Sequence, residues 1–346
     1  MSDSTSTLTV ARYQDSEKAR WDTFVSGAKN ATFLFYRDYM DYHRERFEDH
    51  SLLICEGGEI VALLPANLTQ DGSLVSHQGL TYGGLVVSRT ATLCDVLTSF
   101  QASLRYLDSE KINKLLYKRI PAFYNTLPDN EVDYALFLLE AHLCRRDCAL
   151  VIPMSERLPL RKGRKSEIKK AARHGARVVQ EASFASFWER VLVPRLASRY
   201  GVKPVHSAEE ITLLASRFPD NIKLFSVYCS DKLLAGAVIY ETPCVAHTQY
   251  IGVTDEGQGI GALDYLFGSL MDDHYRNKRF FDFGICNEQE GRALNRGLLD
   301  WKEGFGGRCY AHDFYEVATA NHVKLDAVLF RNGSSHAAAC ARTIEE

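Results

Sequence analysis

Apolar and polar positions along the chain follow one order twice. From residue 18 an amphipathic stretch containing Trp21 predicts a helix, and a second helical stretch follows over residues 36–45. Three apolar runs (51–56, 60–65 after the Gly57-Gly58 turn, and a short one at 73–76) predict a meander of strands. A helix over 91–106 and a strand over 114–118 close the unit. The order then returns: helices over 184–198, with Trp188, and over 208–217; strands over 223–229, 234–240 and 245–253; a helix over 262–275; a strand over 279–283. Alternation and short apolar runs bounded by Gly or Pro mark the strands, and i, i+3, i+4 spacing marks the helices. The pattern predicts an α/β protein of two tandem units of the same build, as an old duplication would leave.

Between the units lies a helical stretch rich in Arg and Lys over 160–177. Glu167 is its only acid, and Gly175 sits where a helix stop belongs. A solvated linker helix and a cationic patch for a phosphorylated ligand both fit such a stretch. The final residues, 326–346, carry no clear pattern and are expected to be a flexible tail.

Composition narrows the class. With 346 residues the chain is long enough for two domains, and a net charge of −3 argues against a protein whose main work is gripping nucleic acid. No apolar run reaches the 18 or more residues of a membrane span. Residues 1–7 lack the layout of a secretory signal, so a cytoplasmic location is expected. The nine cysteines, odd in number and scattered, read as reduced thiols serving as small core residues. No spacing of His, Cys or acids fits a metal site.

Three glycine-rich polar clusters are candidate sites. The loop over 254–261 (Thr-Asp-Glu-Gly-Gln-Gly-Ile-Gly) enters a helix, where free backbone N–H groups suit a pyrophosphate. It is neither a Walker A loop nor GxGxxG. A second cluster, 76–84, holds His77, Tyr82, Gly83 and Gly84. A third runs from Asp282 through Asn287 to Lys302, Glu303 and Arg308. His77 and His247 are the histidines in the most site-like settings, although His247, in mid-strand, fits a core position equally well.

These residues resemble the double-GNAT proteins, that is, the Fem-like and related acyltransferase families. The resemblance rests on the duplicated unit, the Asp-Phe-Gly strand end at 282–284, Lys-Glu-Gly-Phe-Gly-Gly at 302–307 and the basic stretch over 161–177. Three further motifs, His-Gln-Gly-Leu-Thr-Tyr-Gly-Gly (77–84), Lys-Arg-Ile-Pro-Ala-Phe-Tyr (118–124) and Gly-Ala-Leu-Asp-Tyr-Leu-Phe (261–267), resemble a group found with bacterial surface-polysaccharide genes.

The resemblance implies two GNAT-like domains, mixed and mostly antiparallel sheets flanked by helices, facing across a cleft. The N-terminal domain would span 8–155, the basic linker helix 156–178 and the C-terminal domain 179–320. It also implies transfer from acyl-CoA, a co-substrate rather than a resident cofactor, to the amine of a dTDP- or UDP-linked deoxyaminosugar. His77 or His247 would be the base, backed by Asp282 and Glu303, with Tyr82 or Tyr250 protonating the thiolate. Acyl-CoA would meet Tyr250, Ile251, Val253, Gln258, Gly259 and Gly261; the acceptor would meet Arg161, Arg164, Lys165, Lys169, Gly83, Gly84, Asn287 and Lys302. Against the usual GNAT loop, Leu263 replaces the last small residue and Glu256 adds an acid. The alternatives are aminoacyl-tRNA-dependent transfer, as in Fem proteins, and a non-catalytic nucleotide-sugar-binding scaffold. No heptad-bearing arm for tRNA is present, so tRNA is not the expected partner.

Overall fold

The structure is a computed structural model and describes residues 8–329. The first half contributes strands β1 (Thr9–Arg12), β2 (Glu48–Asp49), β3 (Leu52–Glu56), β4 (Glu59–Leu64), β5 (Asn67–Leu68), β6 (Leu74–Val75), β7 (Val86–Val87), β8 (Lys114–Lys118) and β9 (His142–Pro153). The second contributes β10 (Arg177–Glu181), β11 (Ile222–Cys229), β12 (Lys232–Glu241), β13 (Val245–Val253), β14 (Phe280–Ile285), the short pair β15 (Asn287–Glu288) and β16 (Ala293–Leu294), and β17 (Arg308–Ala318). The duplicated order read from the sequence is present, and the molecule is an α/β protein with mostly antiparallel pairing.

Each half uses its tryptophan alike. Trp21, on the Lys18–Gly27 helix, donates its indole N–H to the Phe35 carbonyl at 2.8 Å, and Trp188 donates to the His206 carbonyl at 3.0 Å. A buried indole keeps its apolar body in the core while its single donor is satisfied.

The halves do not keep separate sheets. β1, β3, β4 and β7 form a four-stranded sheet, but an eleven-stranded sheet runs β10-β11-β12-β13-β14-β9-β17-β8-β6-β5-β2 through both halves. β9, from the first half, pairs with β14 of the second (Phe281 opposite Ile152, Asp282 opposite Val151). β17, from the second, lies between β9 and β8 (His312 opposite Asp147, Phe314 opposite Lys118). The last strand of each half is thus hydrogen-bonded into the other. The core follows: Phe33, Tyr39, Trp188, Tyr240 and Tyr250 belong to one buried cluster drawn from both halves.

Two irregularities open the sheet. β13 and β14 run parallel but pair only over Val245–Phe280, Ala246–Phe281 and His247–Asp282, so the rest of β13 is unpaired on that side. Its register with β12 slips between the Thr248 and Tyr250 pairs, a bulge at Gln249.

Several expectations need correction. The helix expected over 36–45 is one turn, Arg37–Met40, followed by 3-10 structure, because Arg37 is buried against Asp41 and Asp49 and lies 3.7 Å over the Tyr13 ring. The basic helix, Lys162–Arg173, is not a free linker. Ile168 meets Gly268, Ala171 is buried, and the chain passes through Gly175 (φ +74°) into β10. Of the tail, Asp326–Leu329 is helical and Asp326 accepts from Gln101 at 2.7 Å; residues 330–346 lie outside the described residues. Cys148 on β9 and Cys309 on β17, expected to be reduced thiols, instead form a disulfide across the paired strands, with Cα atoms 5.3 Å apart.

Burial sets a pH dependence. It holds His77 at about 3 and His206 and His312 at about 4, so the native protein keeps these rings neutral where the unfolded chain protonates them. Their stabilising contribution is complete above the ordinary histidine value of 6.5. It is lost as pH falls toward 4, at up to about 1.4 kcal/mol per pH unit for each ring. Urea midpoints should therefore fall steadily between pH 7 and pH 4.5; a flat profile would show that these rings are not buried neutral.

Candidate active site

His247 ends the paired part of β13, and Asp282 stands opposite it on β14. His247 Nδ1 lies 2.7 Å from Asp282 Oδ2, and the Tyr124 hydroxyl donates to the same oxygen at 2.8 Å. The Gly284 N–H donates to Asp282 Oδ1 at 2.7 Å. Burial raises the Asp282 pKa, but His247 and these donors outweigh it and hold the carboxyl below the usual range. Burial, aided by Asp282, pushes the Tyr124 phenol well above its ordinary value. With Asp282 charged and accepting, Nδ1 of His247 carries the proton and Nε2 is left as an acceptor toward the cleft. Gly284 has φ +71°, and a Cβ there would stand 3.4 Å from the imidazole.

Tyr124 comes from the turn after β8, so the triad spans both halves. Its ring packs on Tyr82 at 4.5 Å. Lys302, on the Arg296–Gly304 helix, donates to the Gly284 and Ile285 carbonyls at 3.0 and 2.6 Å, and burial lowers its ammonium to about 8.

These residues line a cleft of about 610 Å³, with Leu192, Leu196, Ile251 and Leu298 as apolar walls. A second cleft of about 790 Å³ shares Leu196, Ile251 and Leu298 with it and is lined by Arg161, Arg164, Arg195 and Arg199. The open edge of β13, Ile251 to Val253, runs along this second cleft.

The structure separates the residues nominated from sequence. His247, Asp282, Lys302, Tyr82 and Tyr250 line the first cleft. Both phenols are committed, Tyr82 to Thr32 at 3.1 Å and Tyr250 to His206. His77 lies outside the cleft, at φ +66°, with its ring stacked on His43 at 5.4 Å. Gly83 and Gly84 serve the chain: a Cβ on Gly83 would lie 1.7 Å from the Ser76 carbonyl oxygen, and one on Gly84 2.5 Å from Tyr117. Asn287 donates to Asp147 at 2.8 Å and accepts from the Cys148 N–H.

Around the second cleft, Arg161 is bonded to Glu303 at 2.8 Å and Arg164 to Asp264. Lys165 and Lys169 are exposed and line neither cleft. The 254–261 loop is not an open cradle. Residues Asp255–Ile260 form a helical turn in which the N–H groups of Gly257, Gln258 and Gly261 are bonded internally. The Gln258 side chain accepts from Arg195 at 2.7 Å, and Gly259 has open space around it. Thr254 caps this turn, which is why the loop closes on itself.

Sequence reasoning gave no role to Tyr124, Lys118, Arg195 or His312. Tyr124 and Lys118 were in view, as the ends of the 118–124 motif; the pairing of β17 with β8 that brings His312 near Lys118 leaves no sequence signal.

Residues 160–303 match the family model described as an acetyltransferase (GNAT) domain. The fold is similar to solved structures over nearly the whole chain. That of FemX has a TM-score of 0.64 at 10% identity, covering 92% of this chain and 99% of that one. The C-terminal domain of a putative lysylphosphatidylglycerol synthetase from Agrobacterium fabrum has a TM-score of 0.56 at 12% identity, covering 91% and 96%. L-PGS from Bacillus licheniformis gives 0.53 at 9%, covering 93% and 98%. No curated protein matches the chain in sequence. At these identities the likeness shows the fold, here that of tandem GNAT-like units.

The tautomer of His247 is directly measurable. Two-dimensional ¹⁵N NMR of the imidazoles should show a protonated Nδ1 and a bare Nε2 for His247 at pH 7.5, and Asp282→Leu should erase that preference. A protonated Nε2 in the wild type would contradict the assignment.

Proposed function

We propose that the protein is an N-acyltransferase that moves an acyl group from acyl-CoA to a primary amine, with His247 as the base. The observation that carries this reading is the His247–Asp282 pair, placed where β13 and β14 part, in the cleft that adjoins the second at Leu196, Ile251 and Leu298. A thioester laid along the free edge of β13 would have its phosphates among the arginines of the second cleft. Its carbonyl would enter the first.

The steps need few groups. The neutral amine attacks the thioester carbonyl carbon, and the carbonyl π pair moves to oxygen. His247 Nε2 takes the proton that the nitrogen sheds, while Asp282 steadies the imidazolium. The protonated Lys302 lies on the same wall and offsets the oxyanion's charge. The oxyanion then collapses, the C–S bond breaks, and the imidazolium returns its proton to the departing thiolate. No covalent enzyme intermediate is required.

For the acceptor, the resemblance to the surface-polysaccharide group supports a nucleotide-linked deoxyaminosugar (dTDP- or UDP-), handled in the cytoplasm on the way to O-antigen or a similar polymer. One observation favours a second reading, aminoacyl transfer of the Fem type. The 254–261 turn uses its own N–H groups and carries Asp255 and Glu256 at its start, which suits a pyrophosphate poorly.

Purified protein incubated with acyl-CoAs and dTDP- or UDP-aminosugars should release free thiol together with an acylated sugar detectable by mass spectrometry. Transfer only from aminoacyl-tRNA would replace this reading with the second. His247→Ala should lower kcat about 100-fold or more, whereas Tyr250→Phe should leave kcat within about threefold. A His247→Ala enzyme of normal kcat would remove histidine from the chemistry.

A further inference from the structure

The wall of the first cleft away from His247 holds a second polar group, built where the two halves exchange strands. Lys118 ends β8, His312 lies on the neighbouring β17, and Arg145 and Asp147 lie on β9 beyond it, all lining the cleft. Asp147 is already neutralised, by Arg145 at 2.7 Å and by the Asn287 amide at 2.8 Å. Lys118 is not. Its side chain is buried, its Nζ donates to the carbonyls of His77 (3.1 Å) and Leu80, and no carboxylate among the described residues pairs with it. Beside it His312 is 6% exposed, and its Nε2 has no hydrogen-bond partner.

A buried ammonium without a counter-ion and a buried imidazole nitrogen without a partner each cost free energy, and one ligand anion satisfies both. The depressed ammonium of Lys118, about 7, and the neutral ring of His312 are what an empty site of this kind should show. The His77–Gly84 stretch, which contributes no side chain to the chemistry above, finds its use here. Two of its carbonyls hold the ammonium, and the Gly83 N–H bonds the Lys118 carbonyl at 3.0 Å.

We infer that Lys118 and His312 form an acceptor subsite that binds one carboxylate, so that the acylated molecule carries a carboxylate as well as its amine. A monoanion is favoured over a phosphate because two carboxylates, Asp147 and Asp282, line the same cleft and repel a doubly charged group. Along β9 the Asp147 and Val151 positions, opposite His312 and Asp282, are four residues and so about 13 Å apart. An aminosugar with a ring carboxylate, or a short amino-acid chain, carries both groups. This inference rests on the acyl-transfer reading for the amine, but not for the anion.

The test separates the two. In the full-length protein the side-chain ¹³Cε resonance of Lys118, assigned by its loss in Lys118→Met, should shift on titration with acetate. Inorganic phosphate should shift it only at higher concentration. No shift with acetate, or tighter binding of phosphate, overturns the carboxylate site whether or not the protein is an acyltransferase. In turnover, glucosaminuronic acid should have a KM at least about tenfold below that of glucosamine. His312→Phe, which keeps the ring volume, and Lys118→Met should each abolish that preference by raising the KM of glucosaminuronic acid to that of glucosamine. Equal KM values in the wild type would sink the proposal, as would a preference that survives both variants. If acetate shifts Lys118 while no amine is acylated, the subsite stands and the acyl-transfer reading falls.

Discussion

The backbone exchange between β9 and β17 is the constraint on which the rest depends. Each half gives its last strand to the other, so an eleven-stranded sheet passes through the junction without a break. Strand pairing is specified residue by residue, and a slip of one position would turn every side chain to the opposite face. Arg145, Asp147, His312, Phe314 and Lys118 face one cleft because β8, β17 and β9 are locked in register. Asp282 is fixed by β9 on one side and, through the same residues, by β13 on the other. The aromatic core shared by Tyr39, Phe33 and Tyr240 adds a second tie between the halves.

The electrostatics of the site follow from that geometry. A sheet that splays at His247 leaves a gap, and polar groups facing it are held in low dielectric rather than in water. Asp282 remains ionised there because an imidazole, a phenol and a backbone N–H all point at it. Lys302 and Lys118 have only carbonyls, and burial weakens their hold on the proton. Two lysines of lowered pKa lining one cleft make it responsive to any negative charge that enters.

Much of this was legible in the sequence. Paired tryptophans, alternation in the strands and the repeated element order disclosed two like units, since these patterns are local. His247 and Asp282 were nominated singly, as a mid-strand histidine and a strand-end acid; only the parallel register made them a pair. His77 misled because a glycine-rich, polar setting reads as a ligand loop, whereas here Gly83 and Gly84 are required by the close approach of the Ser76 backbone and the Tyr117 ring. Tyr124, His312 and Arg195 went unassigned because their roles come from contacts across 60 or more residues of chain. The 254–261 loop misled in another way: a threonine cap folded a glycine-rich run into a helical turn, consuming the N–H groups that its composition advertised.

A crystal structure of the protein with a bisubstrate analogue, an amine joined through its acyl group to CoA, tests the central claim most directly. The amide nitrogen should lie within hydrogen-bond reach of His247 Nε2, the carbonyl oxygen toward Lys302, and the CoA phosphates among Arg161, Arg164 and Arg195. An analogue seated with its amide away from the His247–Asp282 pair would contradict it.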